Sequence, residues 1–94
     1  MGQAAVKMIG LRASDVSGQK SVRAPAVPTD YTVGELVQAL IARMNLSRND
    51  SEGNALLYQA RLEREGRHLR SAETVGEALR EDDEIVLTPD IDAG

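Results

Sequence analysis

Residues 32–44 read Thr-Val-Gly-Glu-Leu-Val-Gln-Ala-Leu-Ile-Ala-Arg-Met. The apolar positions Val33, Leu36, Val37, Leu40, Ile41 and Met44 follow the i, i+3, i+4, i+7, i+8, i+11 series, which gathers them on one face of an α-helix. Thr32 stands three residues before Glu35, the spacing of a capping box. In that arrangement the hydroxyl and the carboxylate each accept a hydrogen bond from a backbone N–H that the first turn leaves unpaired. The polar stretch from Asn45 to Asn54, with Gly53 inside it, ends the helix as a surface loop. An apolar helical face must be covered by another layer, so the flanking residues have to supply a sheet or a second helix.

They supply strands. Upstream, Ala4 to Leu11 reads as a first strand with Val6 and Met8 on one face and Lys7 and Ile9 on the other. Asp15 to Gln19 carry turn chemistry, Gly18 can take a positive φ, and Ser21 to Val27 returns as the second strand of a hairpin. Pro25 has no N–H to donate, which places that strand at a sheet edge. Downstream, Ala55 to Leu62 alternates, with Leu56, Tyr58, Ala60 and Leu62 on one face and Leu57, Gln59 and Arg61 on the other. Glu65-Gly66 marks a turn, and Arg67 to Leu69 a short fourth strand. The string Thr-Val-Gly-Glu recurs at 74–77, so Thr74 and Glu77 offer a second capping box ahead of Ala78 and Leu79 and one or two helical turns. We read the repeat as one helix-start solution used twice. Asp82 and Asp83 form a turn, and Glu84 to Thr88 is the last strand, with Ile85 and Leu87 sharing a face, Val86 opposed and Pro89 as its stop.

Composition bounds the function. The chain has 94 residues, 11 Lys or Arg against 15 Asp or Glu, and a net charge of -4. That length supports a single core. The absence of cysteine excludes a disulfide framework, a thiolate metal site and a cysteine nucleophile. Negative charge and only two aromatics, Tyr31 and Tyr58, argue against a nucleic-acid partner. No apolar run is long enough for a membrane span and no signal-peptide pattern opens the chain, so we expect no membrane partner and a cytoplasmic location. His68 is the only imidazole and lacks a Ser and carboxylate setting. The pairs Glu63 with Glu65 and Asp82 with Asp83 lack calcium-loop spacing and read as solvated charges. The eight glycines form no phosphate loop. These readings point to a non-enzyme with no metal and no cofactor.

The order of hairpin, helix, strand, turn, short helix and final strand resembles the ubiquitin-like β-grasp family. Val27-Pro28-Thr29-Asp30 before the Thr32 cap is similar to the segment that leads into the ubiquitin helix, Gly66-Arg67-His68-Leu69 to a Gly-Arg-Thr-Leu stretch, and Glu84-Ile85-Val86-Leu87 to the last strand. The resemblance implies an α+β fold: a mixed four- or five-stranded sheet ordered second, first, last, third, with one central helix packed on one face. Val6, Met8, Leu36, Leu40, Leu56, Ile85 and Leu87 would then meet in one core, each large side chain contributing roughly 1.5–3 kcal/mol of burial. The domain is expected over residues 1–88, with 89–94 a flexible tail.

The same resemblance implies sites. Gly94 would be the conjugation residue, adenylated by an activating enzyme and passed through a thioester to a target. Asp90, Ile91, Asp92 and Ala93 would carry tail recognition. A residue without Cβ allows the close backbone approach that adenylation needs. Ile9, Leu57 and Val86 would face away from the helix and form an apolar partner-binding patch. The implied partners are an activating enzyme, a conjugating enzyme, a deconjugating metalloprotease and a target protein, in a bacterial pathway of the kind that in some cases serves antiphage defence. A non-conjugated module like the accessory proteins of type VII secretion is the alternative, and a sulfur carrier a second one.

Overall fold

The helix forms where its pattern places it. In the computed structural model, which describes residues 7–49, 52–53 and 57–90 (the last by its backbone), α1 spans Val33–Met44. Its six periodic apolar residues are all buried. Glu35 donates its N–H to Thr32 Oγ1 at 3.1 Å and Thr32 donates its own to Glu35 Oε1 at 2.9 Å, so both halves of the capping box are made. The other end is closed by Asn45 in the left-handed region, φ 55°. The N–H groups of Asn45 and Leu46 turn back to the carbonyls of Ala42 and Ile41, and Leu46 drops into the core.

The covering layer is a five-stranded sheet of β1 (Met8–Asp15), β2 (Ser21–Pro28), β3 (Leu57–Leu62), β4 (Arg67–His68) and β5 (Asp83–Asp90), with a single helical turn, α2 (Val75–Ala78), before β5. Its order is β2-β1-β5-β3-β4, with β1 and β5 parallel at the centre and the other pairs antiparallel. Pro25 therefore lies on an edge strand. It also lies at a bulge: the step from Ile9 to Leu11 on β1 faces the longer step from Val27 to Ala24 on β2. The extra residue lets both Ala24 and Val27 turn toward the helix. Gly18 turns the hairpin at φ 76°.

The first strand is offset from its expected place, and that reverses its faces. Leu11 and Ala13 are the buried positions, Ile9 packs against the same core, and Met8 is 55% exposed. Met8 is thus not a core residue and Ile9 does not face outward. Leu36, Leu40, Ile85 and Leu87 are buried as expected, and Val6 and Leu56 lie outside the described residues. Two further expectations change. Thr74 has N-cap backbone geometry but its side chain makes no cap hydrogen bond. Pro89 does not stop the last strand, which pairs onward through Pro89 with Tyr58 and Asp90 with Leu57. The ring is tolerated because β1 ends at Asp15, opposite Leu87, leaving no β1 carbonyl beside position 89 to receive the missing N–H.

Candidate functional site

The sheet has one face under α1 and one open face. By alternation from the buried Leu11, Ala13, Ala60, Leu62, Ile85 and Leu87, the open face carries Arg12, Ser14, Gln59, Arg61, Glu84, Val86 and Thr88. Leu57 is on it and 66% exposed. Val86 is half-buried, with Arg61 and Ser14 as its cross-strand neighbours. Ile9 points the other way, so the three residues of the expected patch do not meet on one face. The open face is polar, with Val86 at its centre and Leu57 at its rim.

Residues 91–94, which include Ile91, Asp92, Ala93 and Gly94, lie outside the described residues, and Asp90 is described as the last backbone position of β5. His68 is exposed on β4 opposite Arg61. Among the described residues no three His, Asp or Glu side chains gather to hold a metal ion, and no helix is long and apolar enough to cross a membrane.

Two features escaped the sequence reading. The first is Asp83, which is 7% exposed rather than solvated. Arg64 grips it with two parallel hydrogen bonds, Nε to Oδ1 at 2.9 Å and Nη2 to Oδ2 at 3.1 Å, and the Arg80 N–H donates to Oδ2 at 2.7 Å. Burial works against the charged form. The bonds from Arg64 and Arg80, and the attraction of both cations, outweigh it and hold the Asp83 carboxyl below its ordinary value. Nearby, the bond from Arg67, joined by the Arg70 N–H, lowers Glu73 in the same sense. Arg64 and Asp83 are far apart in sequence, and no local pattern pairs them.

The second feature is a groove of about 280 Å³ between β2 and α1, with Ala24, Val27, Pro28, Tyr31, Leu36 and Leu40 among its walls and Arg43 at its rim. A larger hollow of about 510 Å³ lies between α1 and β3, with Val37, Leu57, His68, Arg70 and Ser71 among its lining. The groove had a sequence signal: a proline-bearing edge strand, Ala24 to Pro28, beside a helix whose adjacent face carries the small Ala39.

No protein-family model matches the chain and no curated protein matches it. Solved structures do. A Caldiarchaeum subterraneum ubiquitin superposes with a TM-score of 0.66 at 19% identity, over 93% of this chain and 99% of that one. A structure described as molecular mimicry of SUMO that promotes DNA repair superposes with a TM-score of 0.63 at 22% identity, over 89% of this chain and 94% of that one. With the strand order, the parallel central pair and the single packed helix, these likenesses establish that the chain has the ubiquitin-like β-grasp fold.

Proposed function

We propose that this chain is a ubiquitin-like protein modifier, the substrate rather than the catalyst of its pathway, with Gly94 as the residue activated. The observation that supports it is the ubiquitin-like fold, shared over 93% of this chain with an archaeal ubiquitin. In the sequence, Ile91, Asp92 and Ala93 stand between Asp90, the last described residue of β5, and Gly94. In the proposed sequence the Gly94 carboxylate attacks the α-phosphate of ATP, forming an acyl-adenylate and releasing pyrophosphate. A cysteine thiolate of the activating enzyme displaces AMP to give a thioester, and a target amine then displaces the thiol. The acidic Asp90 and Asp92 call for a basic groove on the activating enzyme. The pathway we assign is a bacterial ubiquitination-like one with its own conjugating enzyme and deconjugating metalloprotease, and antiphage defence is a setting for it.

Pyrophosphate exchange with an adenylating enzyme of the ubiquitin-activating type, sought among the genes neighbouring this one, tests the proposal. Wild type supports exchange and forms an ATP-dependent thioester. Gly94→Val melts like wild type yet loses exchange on the order of 100-fold, because a β-branched side chain displaces the carboxylate from the α-phosphate. If wild type forms no ATP-dependent adduct, the modifier reading falls and a non-conjugated ubiquitin-like binding module takes its place.

A further inference from the structure

The two Thr-Val-Gly-Glu strings meet. Thr32 and Thr74 face each other as an antiparallel bridge, and four backbone hydrogen bonds cross around them. Val33 and Gly34, the first two residues of α1, donate to the carbonyls of Glu73 and Ser71 at 2.8 and 3.0 Å. Val75 and Gly76, the first two of α2, donate to Tyr31 and Thr29 at 2.8 and 2.9 Å. Each donor in one segment has its counterpart at the same place in the other, so the pair is related by a local two-fold axis between the threonines.

The first N–H groups of a helix have no acceptor within it and need one from elsewhere. Here each helix finds two of its acceptors in the residues that precede the other helix. The glycines make this approach possible. A Cβ on Gly34 would lie 3.2 Å from Ser71 Cβ, and one on Gly76 would lie 2.9 Å from Thr29 Cβ and 3.1 Å from its carbonyl oxygen. A helix of four residues has no stability of its own, since nucleation costs more than one turn returns. α2 therefore depends on the carbonyls of Thr29 and Tyr31, and the first turn of α1 depends on those of Ser71 and Glu73.

We propose that residues 29–35 and 71–77 form a reciprocal clasp that opens and closes as one cooperative unit, while the later turns of α1 stay folded. Tyr31 also lines the groove beside β2 and Ser71 the hollow beside β3.

Native-state hydrogen exchange on the full chain decides the matter. The amides of Val33, Gly34, Val75 and Gly76 exchange through one opening of common free energy, at least about tenfold less protected than those of Leu40 and Ile41. Gly76→Ala, which forces Thr29 to shift, lowers the protection of all four positions by the same factor. Two results overturn the proposal: Val75 and Gly76 exchanging through a lower-energy opening than Val33 and Gly34, or all four exchanging only with global unfolding. The wild-type measurement discriminates even where the variant fails to fold.

Discussion

At 32–35 and at 74–77 the chain carries the same four residues and makes different things of them. The first copy exchanges both bonds of a capping box and starts a 12-residue helix. In the second, Thr74 takes the same extended backbone, its side chain caps nothing, and the helix ends after 4 residues. Burial agrees through the first turn: Val33 and Val75, Leu36 and Ala78, Val37 and Leu79 are all inside. One turn later Leu40 and Ile41 of the first copy are matched by Asp82 and Asp83 of the second. The residues beyond the first turn decide the length of the helix. An apolar residue on every turn offsets the entropy of ordering the backbone, and two aspartates do not. Asp82 turns instead at φ 67° and Asp83 opens β5.

The largest effect is expected from giving the first copy the acid of the second. Leu40 is 2% exposed, and Leu40→Asp buries a carboxylate with no partner, which should unfold the domain. Circular dichroism and a thermal melt check this. A variant melting within a few degrees of wild type would mean that the second turn is not what separates the two copies.

Asp83 shows how the second copy accommodates an acid at the place where the first has Ile41. Arg64→Ala leaves that carboxylate with the Arg80 N–H as its remaining donor, and denaturant unfolding should show a clear loss of stability. The pH dependence has a definite sign. The folded pKa of Asp83 is lowered, so its contribution is fully present above the unfolded value of about 3.9 and is lost as the pH falls through the folded value. Wild type should therefore lose stability below about pH 4, and Arg64→Ala should lose less over the same range. Equal acid sensitivity of the two proteins would show that Arg64 does not hold the charge.

This contrast explains what the sequence made legible. α1 could be read because its period, its cap and its apolar face agree over three turns. The faces of β1 could not be read correctly from its start, since Met8 and Ile9 are both apolar and only Leu11, Arg12, Ala13 and Ser14 further along separate the two sides. That error carried Ile9 into the expected patch. The bulge at Pro25 and the grip of Arg64 on Asp83 depend on partners in other strands and turns, which periodicity does not encode. The second capping box failed for a related reason. The four residues specify a helix start, while the hydroxyl finds its N–H only where the next turn holds its geometry.

The smallest effect is the sharpest comparison, since Thr32→Ala and Thr74→Ala make the same change in the same four-residue string. Thr32 Oγ1 accepts the Glu35 N–H, and its removal leaves that donor without its cap and the Glu35 side chain without the hydroxyl it also meets at 3.2 Å. The expected loss is about 1 kcal/mol. Thr74 contributes its backbone to the bridge with Thr32 and no side-chain cap, and alanine keeps the backbone. Its loss should stay within about 0.5 kcal/mol. Urea midpoints of the two variants, measured with unchanged slopes, give the difference directly. Equal losses would imply that Thr74 acts through a contact other than a cap. A larger loss at Thr74 than at Thr32 would reverse the assignment of which copy its side chain holds in addition to the bridge that both share.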